Sequence, residues 1–409
     1  MAGQRRGTRR RQEVVALGAA ALVLASGCAS PAPRPDSTGQ DIQAVLDRRA
    51  AAVVDRDESA YLTAVEPQAT AERAVEQREF RNLAEIPLGS WGYRVKSVRH
   101  TGARATAEVE LRYRIKGYDL SPVVSARTLK LAEHGGRWYI ATDRPGKGAG
   151  RLLWQQGKVT AVAGGHSLVL GVGQRARLLR EVAAVADRAV PAVDSAWQEK
   201  WSGRVVVLMP SSLEAMASLL GAPAASYRGI AAVTTGEAGS SGSAPADRVI
   251  INPQAFAVLG EFGQRVVVTH ETTHVATRTH TTAATPLWLS EGFADWVAYR
   301  GSGRTAPQAA PELQSAVRSG SLPATLPTDE DFGFGGDADK LARAYEGGWL
   351  ACKLIAQKWG EAKLTAFYRA VGAHKTRDGA VEKAMNDVLG TTPEDFAARW
   401  REYLRDQLG

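Results

Sequence analysis

The sequence predicts an α+β protein built as two domains. Three observations lead there. Between Ile42 and Asp143, helical periodicity gives way to alternation of period two, with no helix returning between the strands. Beyond Gly150, a few short apolar strands interspersed with two helices lead into a long run of helices. And once an N-terminal export segment is set aside, the remaining length suits two domains.

That export segment is residues 1–27. Arg5, Arg6, Arg9, Arg10 and Arg11 make a positive start, and Val14 to Gly27 is an uncharged apolar run too short for a comfortable membrane span. It ends Leu24-Ala25-Ser26-Gly27-Cys28, which resembles a bacterial lipobox with Ala25 where leucine is usual. The resemblance implies that Cys28 is the lipidated first residue of the mature chain, on the extracytoplasmic face of a bacterial membrane. An uncleaved anchor and a simple signal with an incidental cysteine are the alternatives. The arginine cluster also suggests twin-arginine export, although the residues after it fit that pattern poorly. Removing residues 1–27 takes away five arginines and one glutamate, so the formal charge falls from +8 to +4. With no basic run interleaved with aromatics, that excess gives no argument for nucleic acid. Cys28 and Cys352 are the two cysteines; with lipid on Cys28, no internal disulfide is expected. Cys352 lies in a helix-like segment and reads as a small buried apolar residue.

Residues 28–40 form a proline-rich tether. In the first domain, 41–145, Ala44–Val54 and Glu58–Val65 read as amphipathic helices. Trp91, Tyr93, Val95 and Val98, then Val109, Leu111, Tyr113 and Ile115, alternate as strands, and His134-Gly135-Gly136 turns between two more, Thr128–Ala132 and Trp138–Thr142. Helices followed by an antiparallel sheet that ends Arg-Trp-Tyr-Ile resemble the nuclear-transport-factor-2-like fold, which implies a cone-shaped pocket. Asp119 and His134 both fall near turns and read as solvated rather than as an acid–base pair. The domain is expected to be an accessory or docking module, with a cell-envelope partner.

The second domain, 150–409, opens with a long amphipathic helix, Arg175–Trp201, bent at Pro191. Val205–Met209 is a buried strand, Ser212–Leu220 a serine-capped helix, and Gly229–Thr235 and Arg248–Asn252 are strands separated by a Gly/Ser/Ala loop at Gly236–Asp247. Helices are expected at Pro311–Ser319, Ala338–Gly360, Lys363–Val371 and Pro393–Gln407. Gly347 and Gly348 inside one of them cost about 2 kcal/mol against alanine, which points to close backbone packing.

The chemistry lies between Val266 and Trp296. His-Glu-Thr-Thr-His occupies 270–274, and positions i and i+4 share a helix face, so His270 and His274 can address one ion. Glu271 sits one residue round the helix, where a general base for a metal-bound water belongs. Thr285-Pro286 reads as the start of a second helix, with a capping threonine, that carries Glu291 and Asp295 four apart on one face. Two imidazoles and a carboxylate leave a tetrahedral zinc with one open position, the arrangement of a catalytic site.

These residues resemble the gluzincin metallopeptidases, most closely the peptidase-MA-like proteins. The resemblance implies a thermolysin-like domain with a small sheet and a helical C-terminal lobe, one zinc per chain on His270, His274 and Glu291, Glu271 as base, and Asp295 orienting His270. The aminopeptidase-N family is a more distant likeness. The chain departs from it in a shorter spacing between His274 and Glu291 and in lacking an upstream Gly-x-Met-Glu-Asn segment. Tyr345, fifty-four residues beyond Glu291, matches that family's oxyanion-donating tyrosine; a packing tyrosine is the alternative. His280 reads as a surface residue. The expected activity is hydrolysis of a peptide or protein substrate outside the cytoplasm, with Gly229–Thr235 as an edge for pairing an extended peptide. The other readings are a non-catalytic cell-envelope lipoprotein with a structural zinc and hydrolysis of a non-peptide amide.

Overall fold

The computed structural model describes residues 37–235, 246–333 and 337–409. The export segment, Cys28 and residues 29–36 of the tether lie outside these, as do residues 236–245 of the Gly/Ser/Ala loop.

The first helix, α1 (Thr38–Val54), begins inside the stretch expected to be tether, so Thr38 to Gln40 are already folded. α2 (Glu58–Leu62) is capped by Asp57, whose carboxylate accepts from the Ala60 N–H. α3 (Thr70–Asn82) was not visible in the sequence, because the face it buries carries Glu72 and Glu76 beside Phe80 and breaks the apolar period. Those acids meet cations, the buried Arg49 and the largely exposed Arg144. Arg49 and the Tyr61 hydroxyl both donate to Glu76 at 2.5 Å, and Arg144 pairs with Glu72 at 2.9 Å.

β1 (Leu88–Thr101), β2 (Arg104–Ile115), β3 (Val123–His134) and β4 (Arg137–Pro145) form an antiparallel meander in that order. Register shifts at Leu88/Ser90, Val95/Ser97 and Lys130/Leu131 mark bulges, which bend and twist a sheet. Ile42, Leu46 and Val53 of α1 pack on its inner face against Leu111, Leu129 and Ile140.

The second sheet runs β5-β6-β7-β9-β8: β5 (Val159–Ala163), β6 (Ser167–Val172), β7 (Val205–Met209), β8 (Ala232–Thr234) and β9 (Val249–Ile251). β6, β7 and β9 are parallel, and the outer strands β5 and β8 are antiparallel to their neighbours. β5 and β6 escaped the sequence reading; β6 is buried at all six positions, so no alternation betrays it. α4 (Ala176–Trp197) contains Pro191 and ends at Gln198, in the left-handed region at φ 57°, short of Trp201. α5 (Leu213–Leu220) is capped by Ser212.

The rest is helical: α6 (Pro253–Ala257), α7 (Glu261–Thr277), α8 (Leu287–Tyr299), α9 (Ala306–Ala309), α10 (Pro311–Arg318), α11 (Ala338–Trp359), α12 (Glu361–Gly372), α13 (Ala380–Ala384) and α14 (Pro393–Leu408). Thr285 does not cap α8. Its hydroxyl accepts from the Thr282 N–H, and the first amide of α8, Leu287, is instead taken by the Asp329 carboxylate at 2.9 Å. Cys352 is fully buried, as expected. Both sheets share one hydrophobic cluster that runs from α1 through Trp154 to Leu168 and Val206, and Thr38–Gly409 packs as a compact unit. Among the described residues no helix is long and apolar enough to cross a membrane.

The glycines in α11 have a packing reason. A Cβ on Gly348 would lie 2.7 Å from the Trp288 carbonyl oxygen, and one on Gly292 of α8 would lie 2.3 Å from the Gly348 backbone. Gly292→Ala should therefore destabilise the protein by about 1–3 kcal/mol through overpacking. Thermal unfolding followed by circular dichroism checks this, and an unchanged midpoint would show that α8 and α11 can part freely.

Candidate metal centre

α7 is rich in β-branched residues, Val266 to Thr269 and Thr272-Thr273, which are mediocre helix formers. Tertiary burial compensates, since most of its second half is inaccessible. The two central threonines can be buried because each hydroxyl donates to the carbonyl four residues back, Thr272 to Val268 at 2.7 Å and Thr273 to Thr269 at 2.8 Å. The polar face left over belongs to His270, Glu271 and His274.

α8 crosses against that face and brings Glu291 to both histidines. The His270 and His274 Nε2 atoms lie 3.0 Å apart, and Glu291 Oε2 is 3.2 Å from the first and 3.4 Å from the second. For metal–ligand bonds of about 2.05 Å, the edges of a tetrahedron are about 3.3 Å. The three atoms thus already mark one face of a zinc-sized tetrahedron, and the group suits a metal ion. His270 Nδ1 meets Asp295 Oδ1 at 2.8 Å, which fixes the ring and leaves Nε2 facing the cluster. The residues singled out in the sequence are brought together by α7 and α8.

The electrostatics are those of a closed ionic cluster. Burial alone would push His270 down, but Asp295 beside it, helped by Glu291, holds its pKa well above the usual histidine value. Burial would likewise raise Glu291; the charge and hydrogen bonds of His274 and His270 outweigh it and hold the carboxyl well below its usual range. A proton thus takes the place among these groups that a metal cation would take.

Glu271 lies outside the ligand triangle. Its Oε2 accepts from the Thr234 hydroxyl at 2.7 Å, and the same hydroxyl is 3.1 Å from the Glu271 carbonyl oxygen. Thr234 ends β8, the strand at the edge of the second sheet, and is buried. The strand is legible in the sequence but this contact is not; a threonine at the end of a strand carries no signal for it. A cavity of about 610 Å³ opens here, walled by Val233 of β8, by His270 and Glu271, by Glu291, and by Leu341 and Tyr345 of α11. The Tyr345 ring lies 6.3 Å from that of His270, so α11 brings Tyr345 to the same cavity. Glu346, also in its wall, caps α10 through the Leu313 amide at 2.6 Å, and burial followed by its contact with Glu312 pushes its carboxyl up to about 8.

Other polar residues fall elsewhere. His134 contacts Glu66 at 2.8 Å on the first sheet. Asp119 is not solvated: its side chain is 2% exposed and takes a bidentate bond from Arg248 at 2.7 and 2.8 Å. The two form no acid–base pair. His280 is half-buried, its ring edge-on to Trp197 at 5.4 Å, rather than a surface residue.

No family model and no curated protein matches the sequence. Among solved structures, native yeast LTA4 hydrolase aligns with 68% of this chain and 43% of its own, at 13% identity and a TM-score of 0.37. The chain spans less than half of that structure's length.

The cluster makes the metal-free protein sensitive to pH in a definite direction. The raised His270 contributes stability below its ordinary value of 6.5 and loses it as pH climbs through the raised value. The lowered Glu291 contributes above its ordinary 4.5 and loses that contribution in acid. Metal-free protein should therefore have a falling unfolding midpoint as pH is raised from 6.5 towards 9, and zinc should abolish the decline. Parallel slopes with and without zinc would show that the cluster does not hold the ion.

Proposed function

We propose that the protein is a zinc metallopeptidase of the gluzincin kind, cleaving peptide bonds outside the cytoplasm while anchored to a membrane through Cys28. The observation that carries this reading is the triangle of His270, His274 and Glu291 with a separate carboxylate, Glu271, fixed beside it. A zinc ion on the three ligands would supply Lewis acidity and acidify a water at its open position.

The chain's own groups account for the rest. Glu271 takes the proton from the attacking water and returns it to the leaving amine. Thr234 holds one Glu271 oxygen and so directs the other towards the cavity. Asp295 keeps His270 in the tautomer that presents Nε2. Tyr345, in the wall of the same cavity, would donate to the oxyanion. β8 is the sheet edge bordering the cavity, where the main chain of an extended substrate can add as a further strand. A metal that merely braced the fold would need ligands alone. The Thr234–Glu271 contact favours hydrolysis, because it orients a carboxylate that is not a ligand.

Glu271→Gln keeps the side chain's size but cannot take a proton, so zinc content should be unchanged while hydrolysis of a peptide selected from a mixed library falls by roughly 10²–10⁴-fold. His270→Ala should lose zinc and activity together. Turnover by Glu271→Gln at the parental rate, at matched zinc occupancy, would overturn the reading.

Thr234→Val removes the donor without changing volume much. With a hydrogen bond to a charged group contributing about 1.5–3 kcal/mol, kcat should drop about 10- to 100-fold, and Thr234→Ser should recover most of it. Equal kcat for the valine and serine variants would remove Thr234 from the machinery.

A further inference from the structure

The arginines and lysines scattered along the first-domain sequence are gathered in space. Cross-strand partners share a sheet face, and the register pairs Arg94 with Glu110, Gly92 with Arg112, Ser90 with Arg114, Arg99 with Thr106 and Thr106 with Lys130. Arg104 stands at the end of the same row, and Lys96, at the bulge, reaches Glu110 at 3.1 Å. The opposite face carries the buried residues Ala107, Val109, Leu111 and Tyr113. Across β1, β2 and β3 the outer face thus holds seven cations against two carboxylates, Glu108 and Glu110, and all seven cations are at least partly exposed.

That is a net formal charge of +5, seven less two. The described residues carry the same total, because the remainder of the full chain's +8 lies in the undescribed segments: six arginines against Glu13, Asp36 and Glu237. Outside these nine side chains, the formal charges of the described residues sum to zero.

Protection of a sheet edge explains only part of this. Charges on β1 would discourage pairing with another chain, but Arg104, Arg112 and Arg114 are on the interior strand β2 and Lys130 is on β3, where no edge needs guarding. Single-stranded nucleic acid is a poor fit, since recognition there uses aromatic platforms and Tyr93 and Tyr113 are buried on the other side.

We infer that the outer face of the β1–β4 sheet is a docking surface for an anionic phospholipid bilayer. The charge is complementary, and each Lys or Arg near an anionic bilayer contributes enough to change affinity about fivefold. The location of the bilayer rests on the anchoring part of the reading above. Nine residues separate Cys28 from Thr38, a reach of roughly 30 Å at full extension. A polybasic patch is a usual companion to a lipid anchor. The face would supply it.

The test uses residues 28–409 with Cys28→Ser, so that no acyl chain contributes, and sedimentation with vesicles of 30% phosphatidylglycerol in phosphatidylcholine. Binding is expected at 50 mM salt, is lost at 500 mM, and is absent on pure phosphatidylcholine. Arg99→Ser/Arg104→Ser/Arg114→Ser should weaken it about 100-fold, while the same three changed to Lys should retain it. Glu108→Gln/Glu110→Gln should strengthen it, which keeps the test decisive if the serine variant folds poorly. Arg175→Ser/Arg180→Ser/Arg188→Ser, around α4, removes equal charge away from the sheet and should change little. Equal binding to neutral vesicles, or an equal loss in the α4 control, would overturn the docking surface and leave the peptidase reading untouched.

Discussion

The two imidazoles sit on α7 and the carboxylate on α8, so the cluster exists only as far as these helices are held in fixed register. That constraint is met from behind. α11 presses on α8 at a glycine contact where no Cβ fits on either side, and Gly292 directly follows Glu291 in sequence. The start of α8 is held separately: Asp329 takes the Leu287 amide, and Arg377 bridges Asp329 at 2.8 Å and the Thr285 carbonyl at 3.0 Å. A helix pinned at its start and in its middle can hold an oxygen within a few tenths of an ångström of where a small cation would need it, which is the tolerance metal sites demand. The buried, mutually satisfied polar groups of α7 are the other half of this arrangement.

What could be read from the sequence was whatever depends on local spacing. His270, Glu271 and His274 are within one turn and a half, and Glu291 and Asp295 are one turn apart, so their faces follow from helical geometry alone. The strand alternation of the first sheet was legible for the same reason. Contacts made across the fold were not. Thr234 reaches Glu271 across thirty-seven residues and Asp329 caps α8 across forty-two. α3 hid because its inward face is acidic, and its glutamates make sense only beside Arg49 and Arg144, which come from other elements. Asp119 looked solvated because the turn was visible and its partner, 129 residues away, was not.

That last pair joins the two sheets. Asp119, in the turn after β2, holds Arg248, the residue before β9. The Arg248 amide donates to the Thr235 hydroxyl, and Arg278, just past α7, binds both the Thr235 carbonyl and Asp247. Thr234, the next residue along, holds Glu271. Hydrogen bonds linked through adjacent residues of the chain therefore connect the first sheet to the carboxylate beside the candidate metal ligands. It fixes β8 at both neighbours, β9 on one side and the end of α7 on the other.

The energetics make the N-terminal sheet part of the site rather than an appendage. A buried ion pair adds little net stability by itself, because desolvation offsets the attraction, but removing one partner costs about 3–5 kcal/mol. Arg248 is 5% exposed and has the Asp119 carboxylate as its bidentate partner, so without that carboxylate a buried guanidinium next to β8 would keep the Asp247 carbonyl but lose its ion pair. The loss would fall on the strand that carries Thr234. The two faces of the one sheet thus answer to different demands: the outer is shaped by charge, and the inner, with the turn after β2 that carries Asp119, by the geometry of a carboxylate beside the candidate metal centre.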